Sequence, residues 1–108
     1  VNYRRIGLIV PSSNTTMETE VPELLARRPG DERFTFHSSR AVLHTVDADS
    51  LRAMAGQADR CAAEVADAGV DAIAYACLIA VMAQGPRAHE DAERRLRDAA
   101  SAAAARRR

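Results

Sequence analysis

The sequence predicts an α/β fold in three layers, a parallel sheet with helices on both faces. Two observations carry that prediction. The first apolar run, Ile6 to Val10 with Gly7 inside it, is short and β-branched, as a strand buried on both faces of a parallel sheet should be. Strand-like and helix-like patterns then alternate along the chain in the order β-α-β-α-β-α, which right-handed crossovers join into a parallel sheet. The expectation is a flavodoxin-like half with strand order 2-1-3, which sets the loops after strands one and three side by side. Ligands of such folds bind beyond the carboxyl ends of the strands, where the strand order switches.

The elements follow in order. The first strand ends in a turn of small polar residues, Pro11, Ser12, Ser13 and Asn14. From Thr15 to Arg28, Met17, Val21, Leu24 and Leu25 recur at helical spacing, and Glu18 and Glu20 lie in the first turns, where the helix dipole favours carboxylates. Pro22 inside this stretch predicts a late start or a kink. Pro29 and Gly30 stop the helix, and Arg33 to Arg40 reads as a second strand with Phe34, Phe36 and Ser38 on one face. Asp47, Asp49 or Ser50 can cap a second helix, whose Leu51, Met54, Ala58, Cys61, Ala62 and Val65 form one apolar stripe and whose stop is Gly69. Val70 to Ala76 is the third strand, with Cys77 at its carboxyl end. Arg87 to Arg108 has a polar helical pattern anchored by Leu96, and residues 97–108 are expected to fray. Residues 1–108 are expected to form a single domain.

Composition narrows the chemistry. With 47% apolar and 28% charged residues, the 108-residue chain has the balance of a globular protein with a modest core. Acidic and basic residues cancel at 15 each, so no global field steers it toward nucleic acid or anionic lipid. All the basic residues are arginine, which excludes Schiff-base catalysis and a Walker-type phosphate loop. Pro11 cuts the first apolar run short of a membrane span, so that run reads as a strand and the protein as cytoplasmic. Cys61 and Cys77 are too few and too far apart for a metal-binding pair or a disulfide-stapled domain, and both are expected as reduced thiols. His37, His44 and His89 lack metal-ligand spacing, and the arginine-rich end reads as a solvated helix terminus rather than a nucleic-acid contact.

Two loops remain as candidates for chemistry. A thiol at the end of a parallel strand, near the N–H groups of a following turn, can be held as a thiolate and act as a nucleophile; it can equally be a small buried hydrophobe. On position alone both readings of Cys77 stay open. Ser12, Ser13 and Asn14, with free N–H groups at a helix start, suit carboxylate or phosphate oxygens, and they also suit plain capping.

The segments RIGLIVPSSNTTMETEVP and DAIAYACLIAVMAQG resemble the maleate cis-trans isomerases, a branch of the aspartate/glutamate racemase superfamily that also includes arylmalonate decarboxylase. The resemblance runs over residues 4 to 95. It implies that Cys77 is the cysteine that adds to the substrate double bond and that Asn14 holds a substrate carboxylate. It further implies that Pro11 and Ser12 belong to the same substrate-binding loop, and that the backbone amides of Leu78 and Ile79 line the pocket. It implies a small dicarboxylate substrate, maleate, and no metal or organic cofactor. The cysteine at position 77, where the decarboxylases carry glycine, favours isomerase or racemase chemistry.

Members of that family are longer and consist of two similar halves, the second supplying another cysteine, asparagine and tyrosine. None of these has a counterpart here, since Cys61 lies on a helix stripe. The expectation is therefore an amino-terminal half that self-associates or pairs with a missing second half. An aspartate/glutamate-type racemase half and a non-enzymatic remnant binding a small acid are the alternatives.

Overall fold

A computed structural model describes residues 2–77, 81–82 and 85–106. Its strands are β1 (Asn2–Pro11), β2 (Glu32–Ala41) and β3 (Ala72–Tyr75), and its helices are α1 (Thr16–Ala26), α2 (Ala48–Ala55), α3 (Ala58–Asp67) and α4 (Ala88–Arg106). The sheet is wholly parallel in the order β2-β1-β3, as the alternation of patterns predicts. Leu8, Ile9 and Val10 of the central strand are completely buried, so both faces of β1 are covered at its carboxyl end. The amino-terminal end of β1, from Asn2 to Arg5, is exposed, and there Arg4 pairs with Glu32 at 3.1 Å.

Alternation along the strands sorts the helices onto two faces. A Cβ built on Gly7 meets Val65 of α3, and Ser39 Oγ bonds Glu64 of the same helix. On the opposite side, Ser38 and Arg40 both reach Glu18 of α1. The main core lies on the α3 face, where Ile9, Ala41, Leu43, Leu51, Met54, Cys61 and Ala62 form one cluster flanked by Ile73, Tyr75, Cys77, Leu96 and Ala99.

Two expectations are corrected. The single helix with one apolar stripe is two helices, α2 and α3, joined at Gly56 and Gln57. Glycine weakens a helix interior, and the Gln57 side chain accepts hydrogen bonds from Val42 N–H at 3.0 Å and Arg60 at 3.2 Å, which fixes the joint. The stripe survives, because Leu51, Met54, Ala58, Cys61, Ala62 and Val65 are all buried. The cap is Asp47, whose carboxylate accepts from Ser50 N–H, and Gly69 adopts φ +66° beyond the end of α3. Second, of a late start and a kink the late start is overturned: α1 begins at Thr16, well before Pro22, so proline sits inside the helix and leaves the Glu18 carbonyl without its usual helical partner. Helix α4 extends to Arg106, with Ala103 buried; alanine is the strongest helix former and packs closely. No helix among the described residues is long and apolar enough to cross a membrane.

Candidate active site

The site begins with the parallel pairing of β1 and β3. Ile9 is paired with Tyr75, and Ala76 N–H donates to the Ile9 carbonyl at 2.8 Å. Carried on by two residues, that register sets Cys77 abreast of Pro11, on strands spaced about 4.8 Å apart. The Cys77 turn and the loop from Pro11 to Asn14 thus leave the same end of neighbouring strands. Cys77 is half-buried against the core cluster, whereas Cys61 is fully enclosed within it. Leu78 and Ile79, the other two residues expected at this turn, lie outside the described residues.

The loop is built by its own hydrogen bonds. Asn14 Oδ1 accepts from Thr16 N–H at 2.8 Å and Met17 N–H at 3.3 Å, which caps α1. Since the oxygen must face those two donors, Nδ2 is the group left free of the cap. Ser12 N–H donates to Ala41 O at 2.8 Å and Asn14 N–H to Pro11 O at 3.0 Å. The amides of Ser12, Asn14, Thr16 and Met17 are therefore spent within the chain, which corrects the expectation of a wholly free set of donors at this helix start. Ser12 Oγ accepts from Leu43 N–H at 3.0 Å and Ser13 Oγ donates to Leu43 O at 2.8 Å, so both hydroxyls moor the loop to the segment after β2.

Two features of the site were not singled out from sequence. Arg40 donates to the carbonyls of Ser12 and Asn14 and pairs with Glu18, whose acidity is raised by the Ser38 hydroxyl first and by Arg40 second. The signal was the alternation that places Phe34, Phe36 and Ser38 on one face of β2, because the next residue on that face is Arg40. Tyr75 is the second, a residue of the third strand. Its hydroxyl is buried with no hydrogen-bond partner among the described residues. Burial first, then the neighbouring Cys77 and Cys61 thiols, pushes its pKa up to about 12, so it stays a neutral phenol. Tyr75 lines a cavity of about 470 Å³ together with Val81, Pro86, Asp91 and Arg95. Among the described residues no group of three His, Cys, Asp or Glu side chains is placed to hold a metal ion.

No protein-family model matches the chain. A maleate isomerase of Nocardia farcinica is 55% identical over 93 residues, which are 86% of this chain and 37% of that protein. A crystal structure of the maleate isomerase Iso from Pseudomonas putida, a cysteine-to-alanine mutant with maleate, superposes with a TM-score of 0.91 at 49% identity and covers 93% of this chain and 41% of that one. The chain matches the amino-terminal part of maleate isomerases. It spans only about two fifths of the length of the relatives it matches, 37% to 39% of the curated proteins. One further maleate isomerase structure bears directly on a thiol. The Nocardia farcinica enzyme in a cysteine-to-serine form carries a covalently bound succinylcysteine intermediate, at a TM-score of 0.87 and 51% identity, covering 91% of this chain and 40% of that one.

Proposed function

We propose that this chain provides the nucleophile-bearing part of a maleate isomerase site. Cys77 reacts as the thiolate: its sulfur bonds to one alkene carbon of maleate, and the π electrons move to the other carbon, beside a carboxylate that spreads the charge. The former double bond is then single and rotates. A second acid lends that carbon a proton, and when the proton is removed again the electron pair re-forms the double bond, the thiolate leaves, and the product is fumarate with no atom gained or lost. Asn14 Nδ2 and the backbone amides of Leu78 and Ile79 hold a carboxylate of the substrate, with Pro11 and Ser12 shaping the loop beneath it.

The observation that supports this reading is the parallel pairing of Ile9 with Tyr75, from which the Pro11–Asn14 loop and the Cys77 turn leave the same end of neighbouring strands. A succinylcysteine is the thioether that forms when a thiol adds across maleate and the second carbon takes a proton, and the Nocardia relative holds that adduct after another of its cysteines has become serine. Of the two thiols in this sequence, only Cys77 reaches a strand end; Cys61 is enclosed in the core.

The proton on the second carbon needs its own donor, and the family resemblance assigns that role to a cysteine beyond the span matched here. The 108-residue chain alone is therefore expected to bind maleate weakly and turn it over negligibly. We further propose that it self-associates or pairs with a second half, because among the described residues β3 bonds only to β1, and exposed Leu24 and Met82 lie on the surface. Fumarate formation by the purified chain, read by proton NMR beside a Cys77→Ser control and with sedimentation to fix the mass, tests both statements. Turnover well above the control from a monomer would overturn the need for a second half. Absence of any Cys77 adduct with maleate, when Cys77 is free and reduced, would remove the chain from this chemistry.

A further inference from the structure

Arg40 stands near the carboxyl end of β2, on the face covered by α1. Its Nη2 donates to the Asn14 carbonyl at 2.7 Å, its Nε to the Ser12 carbonyl at 3.3 Å, and its Nη1 to Glu18 Oε1 at 2.8 Å. Glu18 is itself held through its second oxygen by Ser38 Oγ at 2.6 Å. The Arg40 and Glu18 side chains are 38% and 31% exposed, so the pair lies at the border of solvent. One rigid guanidinium fork therefore grips the loop at two carbonyls and the first turn of α1 at a carboxylate.

A peptide unit is planar and trans, so fixing a carbonyl also fixes the N–H on the far side of the same plane. Holding the Ser12 carbonyl turns the Ser13 N–H away from Arg40, and holding the Asn14 carbonyl does the same for the Thr15 N–H. These two amides alternate with those of Ser12 and Asn14, which are already spent on Ala41 and Pro11. We infer that Arg40 is a positioning residue for the dicarboxylate, its fork on the Ser12 and Asn14 carbonyls aiming the Ser13 and Thr15 amides and the Asn14 carboxamide at one carboxylate. The aim of the loop at a carboxylate rests on the function proposed above; the grip on the loop does not. Lysine cannot replace the fork, because an ammonium is a single point of contact.

The test uses the isotope-labelled full chain and compares the wild type with Arg40→Met, Arg40→Lys and Glu18→Gln. Amide hydrogen exchange reads the loop, and a maleate titration followed by NMR reads the ligand. In Arg40→Met, exchange at the Ser12 and Asn14 amides should rise about tenfold or more, and maleate affinity should fall by a similar factor, as loss of hydrogen bonds to a charged group implies. Amides in the centre of β1 should keep their protection. Arg40→Lys should restore the fold's stability without restoring loop protection, and Glu18→Gln should show a smaller effect of the same sign. Loop exchange equal to wild type in folded Arg40→Met or Arg40→Lys overturns the inference. If the wild type does not bind maleate while the loop loosens as expected, the carboxylate assignment falls and the grip stands.

Discussion

Gly7 and Val65 approach so closely that a methyl group on the glycine would stand 3.0 Å from Val65 Cβ, with Val70 Cγ2 at 3.2 Å. The centre of the sheet and helix α3 meet here without room for a side chain. Gly7→Ala should therefore destabilise the fold by about 1–3 kcal/mol, the usual cost of overpacking a filled core. Urea denaturation gives the number. An unchanged midpoint for the single variant would mean that α3 shifts freely over β1.

The two thiols should differ in reactivity. Cys61 has no exposed surface, whereas Cys77 is half-buried at the end of β3. Brief treatment with iodoacetamide and peptide mass mapping should find Cys77 modified several times faster than Cys61, since thiolate access governs alkylation (roughly tenfold is a fair threshold). Preferential labelling of Cys61 would contradict the assignment of the nucleophile.

Asn14 caps α1 through Oδ1, which leaves Nδ2 as the group proposed to hold the substrate. Asn14→Ala should cost about 1 kcal/mol of stability through the lost cap and should also abolish maleate binding. Asn14→Asp keeps an acceptor for the cap but lacks the donor and adds negative charge, so it should fold normally and fail to bind. Normal binding by a folded Asn14→Asp variant would reduce Asn14 to a cap.

Acid should weaken the fold through three carboxylates. Glu18 is lowered in pKa by Ser38 and then Arg40, Glu64 by Ser39 and then Arg60, and Asp47 by Thr45 and Ser50. A carboxylate with a depressed native pKa stabilises fully above its unfolded value and loses that contribution as pH falls through the native value. The denaturation midpoint should thus hold level from neutral pH down to about 5 and decline below about 4, where free carboxyls titrate. Glu18→Gln should shrink the decline. A midpoint that rises on acidification would run against this sign.

The fold was legible wherever periodicity and punctuation agreed. Ile6 to Val10 announced a buried central strand, and Gly69 the end of a helix, because each depends on local sequence alone. The split between α2 and α3 was not legible, since its cause is Val42 N–H and Arg60 converging on Gln57 from elsewhere in the fold. The site divided in the same way. The positions of Asn14 and Cys77 follow from strand ends, which pattern reveals. The internal use of the loop amides does not, because their acceptors on Ala41 and Pro11 are defined only once β1 and β2 are in register. Arg40 was hidden for a similar reason: a charged residue late in a strand looks like solvated surface until α1 lies across it.

The two edges of the sheet are unlike each other, and this gives the sheet a direction in which it can be extended. Along β2, a ten-residue edge, charge stands on both faces near the carboxyl end, where Arg40 pairs with Glu18 on one side and Arg60 with Glu64 on the other. Arg60 also donates to the Arg40 carbonyl at 2.8 Å, which occupies a backbone acceptor that an incoming chain would need. Charged side chains and occupied backbone groups are the devices by which an edge refuses a new neighbour. The opposite edge, β3, is only four residues long, and its sequence AIAY carries no charge at all. A strand arriving at this sheet would meet paired charges and an occupied Arg40 carbonyl at β2 and a short, uncharged ladder at β3.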